Sequence, residues 1–253
     1  MRIKHLQENW NKLGQADPLW AVLTFDGMKN RQWNVDEFFA TGEREIKEVL
    51  EYLESLRVKV ARSKALDFGC AVGRLTQALA NHFDEVYGID IAPSMIEQAK
   101  QFNKHGSRCK FILNEVDHLS IMGDNYFDFI YSNITLQHMK PMYIKRYLAE
   151  FTRILKPGGI MVFQLPSERS RGTTLIKRMA RSIIPENVIE WVFHARIRWE
   201  GILHGEPVME MYGIPREKVI NFLKTNGAKT IDTQNVSQNN SVWLSYRYCA
   251  IKN

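Results

Sequence analysis

A glycine turn followed by an acidic strand end constrains this chain most. Residues 65–68 have the pattern of a short apolar strand, and Gly69 and Gly73 follow them directly before a predicted helix. Asp90 comes about 20 residues further on, at the end of the apolar run 86–90. Glycines let a backbone approach a ligand closely, and a carboxylate on the second strand can accept both hydroxyls of a ribose. The pattern predicts a βαβ unit that binds a nucleoside-bearing ligand.

The spacing of this turn argues against a dinucleotide. A pyrophosphate site uses G-x-G-x-x-G, whereas here three residues separate Gly69 from Gly73, and Asp67 would repel phosphate. The turn resembles motif I of the class I S-adenosylmethionine (SAM) methyltransferases, D-x-G-x-G-x-G, with Ala71 where the middle glycine is usual. SAM carries an ammonium, a carboxylate and a sulfonium but no phosphate, so an acid beside the turn suits it.

The resemblance extends over about residues 60–165. Four further segments look like the later motifs of the family in the same order: 91–96, 111–119, 127–133 and 155–159. The resemblance implies an α/β fold with a doubly wound, mostly parallel seven-stranded sheet in the order 3-2-1-4-5-7-6. Apolar periodicity predicts helices at 42–56, 74–83, 93–102, 142–155 and 215–225 and strands at 65–68, 86–90, 110–113, 127–132, 160–165, 229–233 and 242–251.

Two regions fall outside this alternation. Residues 1–40 are rich in aromatic side chains and are predicted to form an N-terminal aromatic cap, although an extension packed on the sheet edge remains an alternative. Residues 41–253 are predicted to form the SAM-binding methyltransferase domain, with a lid insertion at 166–212. Within it, residues 173–184 look amphipathic and cationic, which fits a lid helix or a helix on a membrane surface.

Composition sets broad limits on function and compartment. The chain has 253 residues and a formal charge of +6, and no apolar run reaches the roughly 18 residues that a membrane span needs. Three cysteines without a C-x-x-C spacing predict reduced thiols and no metal site, in a cytoplasmic protein. The N-terminus lacks the apolar stretch of a signal peptide. Oligomeric state is not predicted.

The resemblance assigns roles to the residues that would bind SAM. Gly69, Ala71 and Gly73 approach the methionine part, where Asp67 favours the ammonium. Arg74 either pairs with the carboxylate or lies on the surface. The other predicted contacts are those of the ribose, the adenine and the fourth strand end: Asp90, Ile91, Met95, Glu115, Val116 and Ser132.

Catalytic and substrate-binding residues are harder to predict. His138 follows the fourth strand and either takes a proton from the acceptor or has a structural role. Glu168, His194, His204 and Tyr212 are rival candidates for the acid–base role. Residues of the cap and lid are predicted to contact the substrate: Trp33, Phe38, His194, His204 and Tyr212.

The predicted function is methyl transfer from SAM to an oxygen or nitrogen of a small molecule of natural-product or glycan type. The basic balance keeps an RNA methyltransferase as an alternative, with a cluster at Arg169, Arg171, Lys177, Arg178 and Arg181. A SAM-binding partner subunit without activity and a dehydrogenase are further alternatives.

Overall fold

A seven-stranded sheet in the order β3-β2-β1-β4-β5-β7-β6 forms the centre of the computed structural model, which confirms the predicted order. The structure describes residues 3–25, 27–169, 207, 209–237 and 242–253. Strands β1 to β5 are parallel, and β7 runs antiparallel between β5 and β6. The strands are β1 (Lys64–Phe68), β2 (Glu85–Asp90), β3 (Cys109–Leu113), β4 (Phe127–Ser132), β5 (Leu155–Arg169), β6 (Ala228–Asn235) and β7 (Trp243–Lys252).

Helices cover the sheet because its central strands are apolar on both sides. Every residue of β4 is buried, as expected for a parallel strand packed between two layers. The helices are α1 (Ile3–Ala16), α2 (Pro18–Val22), α3 (Val35–Ser55), α4 (Arg74–Leu79), α5 (Pro93–Phe102), α6 (Pro141–Ile154) and α7 (Arg216–Thr225). No helix among the described residues is both long and apolar enough to cross a membrane.

Some predicted elements differ in extent from the observed ones. The predicted helix 74–83 ends at Leu79, where Asn81 and His82 donate their N–H groups to the residues three positions earlier, a tighter turn than that of an α-helix. The predicted turn 155–159 lies inside β5, where the pairing with β4 shifts between Phe127 and Phe129. The long strand β5 also continues past residue 166, where the lid insertion is predicted to begin.

Helix α3 positions the N-terminal region against the glycine turn. It begins after Asn34, whose side chain accepts the N–H of Glu37, and it continues without a break past residue 40, where the cap is predicted to end. Gly42 allows a close approach, because a Cβ there would lie 2.6 Å from the carbonyl oxygen of Arg74. Most of the predicted lid, residues 170–206 and 208, lies outside the described residues.

Candidate active site

An open cleft lies at the carboxyl ends of β1, β2 and β4. Strand order reverses between β1 and β4, and ligands of open α/β sheets bind at such a reversal. Gly69 follows β1, Asp90 ends β2 and Asn133 follows β4, and all three line the cleft. The sheet topology therefore gathers residues that are far apart in the sequence around one space.

The glycine turn has no room for side chains at its two glycines. Gly69 has φ +79°, and a Cβ there would lie 2.1 Å from Cγ2 of Thr135. Gly73 has φ +85°, and its Cβ would lie 2.8 Å from the ring of Phe111. Ala71 also lies in the left-handed region, at φ +45°, which costs a residue with a Cβ about 1–2 kcal/mol. Gly69 and Ala71 line the cleft.

Asp90 fixes the geometry of this turn through its carboxylate. Its Oδ2 accepts the backbone N–H of Ala71 at 2.9 Å, and its Oδ1 accepts that of Ala92 at 2.8 Å. Burial raises the pKa of Asp90, and the backbone hydrogen bonds oppose that shift. The carboxylate oxygens keep further lone pairs for a ligand hydroxyl.

Asp67 is buried beside the turn and does not line the cleft. Its Oδ2 accepts the hydroxyl of Thr76 at 2.7 Å, and its Oδ1 has no hydrogen-bond partner among the described residues. Burial raises the pKa of Asp67 to about 7. Its influence on a ligand ammonium therefore remains a prediction.

Ile91 and Met95, which are predicted to contact the adenine, line the cleft. Glu115 instead is exposed and accepts from the Gln7 amide, and Val116 is 41% exposed outside the cleft. Asn114, one residue earlier, is the buried polar residue at the wall.

Arg74 and Ser132 are both predicted to contact the cofactor, but only Arg74 lines the cleft. Arg74 is only 4% exposed and lines the cleft, so it is not a surface arginine. Its Nη2 lies 2.7 Å from Oε2 of Glu45, and Nη1 donates to Thr41. Ser132 is fully buried and donates to the carbonyl of Phe68, away from the cleft wall.

His138 lines the cleft as a buried, neutral imidazole. Its Nδ1 lies 2.8 Å from the carbonyl oxygen of Glu210, which can only accept, so Nδ1 carries the proton. Its Nε2 then accepts from the Gln137 amide at 3.1 Å. Burial lowers the pKa of His138 to about 4. The edge of Trp10 packs against the ring, with centroids 5.0 Å apart.

The residues that are predicted to contact the substrate lie in different surroundings. Phe38 is completely buried in an apolar cluster and does not line the cleft. Trp33 packs on Phe38, donates to the carbonyl of Leu23 and does not line the cleft, because its indole belongs to the same cluster. Tyr212 donates its N–H to the carbonyl of Gln137 and its hydroxyl to Glu210. His194 and His204 lie outside the described residues.

Other residues line the cleft that the sequence did not single out. They come from α1, α2 and the segment after β4: Leu6, Trp10, Ala21, Val22, Ile134 and Met139. Leu6 and Trp10 are four residues apart on one face of α1, a spacing that the sequence does show. Ile134 has φ +56°, which is unusual for a β-branched residue and gave no sequence signal.

Comparison with known proteins identifies this arrangement. Residues 66–163 match the family model described as a methyltransferase domain. Malonyl-[acyl-carrier protein] O-methyltransferase of Hamiltonella defensa is 30% identical over 117 residues, which cover 46% of this chain and 43% of that protein. Demethylmenaquinone methyltransferase of Staphylococcus haemolyticus is 34% identical over 113 residues, 44% of this chain and 46% of that protein. Over these residues the chain is similar to the class I SAM-dependent methyltransferases.

The chain spans less than half the length of those two relatives. The solved structure of magnesium protoporphyrin IX methyltransferase from Synechocystis PCC 6803 with bound SAH superposes with a TM-score of 0.63. The superposition covers 98% of each chain at 18% identity, which shows that the two proteins share a fold.

The cleft fits the cofactor of this class, SAM. A backbone that leaves no room for a Cβ at Gly69 allows close approach, and the carboxylate of Asp90 terminates β2 at the same cleft. Among the described residues, no three His, Cys, Asp or Glu side chains group closely enough to hold a metal ion.

Proposed function

We propose that this chain transfers a methyl group from SAM to an oxygen or nitrogen of a small-molecule acceptor. The observation that carries the proposal is one cleft lined by both polar and apolar side chains. We assign Asp90 and Asn114 to a cofactor end, and Trp10, which packs against His138, together with Ile134 and Met139 to an apolar acceptor end. Largely apolar sites with a few polar groups are typical of small-molecule pockets.

At the cofactor end, each residue has a defined binding role. Asp90 accepts from the ribose hydroxyls while it holds the turn, and the backbone from Gly69 to Gly73 borders the methionine part. Ile91 and Met95 contact the faces of the adenine. Asn114, rather than Glu115 or Val116, is proposed to bind its edge, because Asn114 is the polar side chain that lines this wall.

At the acceptor end, alignment of the reacting atoms contributes most to the rate. A lone pair on the acceptor displaces the thioether in line, so the new bond to the methyl carbon forms as the bond to sulfur breaks. Residues Trp10 and Ile134 hold the acceptor and exclude water. The lone pair of His138 is weakly basic, with a pKa of about 4, and bonded to Gln137, so His138 chiefly positions the acceptor. The proton of the acceptor passes to solvent once the methylated product leaves the apolar end.

Binding and transfer assays on the purified chain test this proposal. Calorimetry should detect binding of SAM and of its product S-adenosylhomocysteine (SAH). Methyl-labelled SAM should then transfer label to at least one member of a panel of metabolites with free hydroxyls and amines. Asp90→Ala should abolish both signals. Absence of SAH binding would contradict the proposal.

The same assay includes the alternatives. Label that reaches only RNA would favour an RNA methyltransferase, and binding without transfer to any acceptor would favour a partner subunit. Apart from Arg169, the basic cluster that motivates the RNA alternative lies outside the described residues. Two observations therefore favour the small-molecule proposal over the RNA alternative. They are the apolar end of the cleft and the acceptors named for the relatives.

A further inference from the structure

The carboxylate of Glu45, on helix α3, accepts hydrogen bonds from three side chains. Its Oε2 accepts from Nη2 of Arg74 at 2.7 Å. Its Oε1 accepts from the Tyr131 hydroxyl at 2.8 Å and from Nδ2 of Asn133 at 2.7 Å. Arg74 begins α4, and Tyr131 and Asn133 belong to the end of β4 and the residue after it. The side chain of Glu45 therefore connects helix α3 both to the start of α4 and to the end of β4.

Two of these three partners line the cleft, which connects Glu45 to the ligand site. Arg74 is 4% exposed, and its Nε–H has no hydrogen-bond partner among the described residues. Arg74 therefore has a donor to spare, which a ligand carboxylate can accept.

The orientation of the Asn133 amide follows from the same contact. A carboxylate can only accept, so the amide nitrogen must be the atom next to Glu45. The carbonyl Oδ1 of Asn133 is then the atom left for another donor, and no hydrogen bond to it is found among the described residues. Glu45 thus selects which end of the amide is available.

We propose that Glu45 is a positioning residue for the amino-acid end of the cofactor. It holds the guanidinium of Arg74 to bind the ligand carboxylate and turns Asn133 so that Oδ1 accepts from the ligand ammonium. The Glu45–Arg74 pair is neutral overall, so it can face a zwitterion without leaving a net charge. This inference rests on the proposed function, because it concerns the same cofactor.

Two ligands separate positioning from general structural support. SAH carries the amino-acid group, and 5′-methylthioadenosine lacks it but keeps the nucleoside. Glu45→Gln should weaken SAH binding by at least about tenfold, the scale of one charge-assisted hydrogen bond, and change binding of 5′-methylthioadenosine by less than about twofold. Glu48→Gln, an exposed glutamate on the same helix, is the matched control and should change neither.

A double-mutant cycle tests whether Glu45 acts through Asn133. Asn133→Ala should weaken SAH binding selectively, and adding Glu45→Gln should then cost less than it does alone. If Glu45→Gln does not fold, as judged by circular dichroism, Tyr131→Phe and Asn133→Ala provide the same ligand comparison.

Equal weakening of both ligands would show structural support only and would overturn the inference. The inference would also be overturned if Glu45→Gln left the ratio of the two affinities unchanged while the wild-type chain binds SAH and transfers methyl groups. If the wild-type chain binds neither ligand, the proposed function fails, and the inference fails with it.

Discussion

The carboxylate of Asp90 accepts the backbone N–H of Ala71 at 2.9 Å and so joins the end of β2 to the glycine turn. Ala71 stands where related motifs have a glycine, and it lies at φ +45°. A hydrogen bond to an ionised carboxylate is about twice as strong as a neutral one, so Asp90 can stabilise a backbone conformation that alanine disfavours. The same side chain therefore shapes the turn and, as proposed, binds the ribose.

Asp90→Asn should weaken SAH binding by at least about tenfold, because an amide can accept only one of the two backbone N–H groups and places a donor against the other. Isothermal titration measures this effect. Asp84→Asn is the matched control, since Asp84 is exposed beside the opposite end of β2. Equal affinity of Asp90→Asn and wild type would contradict the proposed ribose contact.

Gly69→Ala should destabilise the fold and abolish SAH binding. Alanine pays about 1–2 kcal/mol in the left-handed region, and its Cβ would also meet Thr135 at 2.1 Å. Gly27→Ala separates the two costs, because Gly27 has a similar φ of +80° but, chain neighbours aside, none of the described residues comes within 4 Å of an added Cβ. Thermal denaturation should show a clearly larger loss for Gly69→Ala, and similar losses would show that the close approach to Thr135 is unimportant.

Asp67 predicts a pH dependence of stability with a definite sign. Burial raises its pKa from 3.8 to about 7, so between these values the folded chain holds a proton that the unfolded chain has released. The free energy of unfolding therefore falls as pH rises through this window, by up to about 1.4 kcal/mol per pH unit, and the contribution is fully present only below about pH 4.

Urea denaturation of wild type and Asp67→Asn measures this effect. The asparagine keeps an acceptor for the Thr76 hydroxyl but cannot titrate. The stability of wild type relative to the variant should decline from about pH 4.5 to about pH 7.5. A difference that does not change with pH would show that the Asp67 carboxyl is ionised throughout.

His138 should remain neutral well below the pH at which an exposed histidine gains its proton. Its pKa is lowered to about 4 because it is buried, and only the Glu210 carbonyl opposes that shift. Histidine ¹⁵N chemical shifts, assigned by their loss in His138→Gln, should report a proton on Nδ1 and none on Nε2 at neutral pH. Protonation of this residue near pH 6.5 would restore its candidacy as a general base.

Much of the fold follows from local sequence patterns. Short apolar runs predict the strands, and Gly69 and Asp90 mark the site, because close backbone approach and a strand-end carboxylate both require particular residue types. After β3, Asn114 lines the cleft and the predicted Glu115 does not. Asn114 and Glu115 are both polar and follow the same strand, so burial, which only the folded chain determines, decides between them.

The contacts of helix α3 could not be predicted in this way. Glu45 lies 29 residues from Arg74 and 88 from Asn133, and no periodicity connects them. The aromatic side chains of the N-terminal region were equally ambiguous: Phe38 packs in the core, whereas Trp10 reaches the cleft. An aromatic residue buries apolar area in either place, so its type alone does not separate the two.

Helix α3 runs unbroken from Val35 to Ser55, and this continuity restricts how the N-terminal region can change. A single-residue insertion between Phe38 and Glu45 would rotate one about 100° relative to the other, since an α-helix has 3.6 residues per turn. Either the buried ring or the carboxylate would then leave its partners. Related chains are therefore expected to keep the same number of residues between Phe38 and Glu45. Insertions and deletions should instead occur before Asn34.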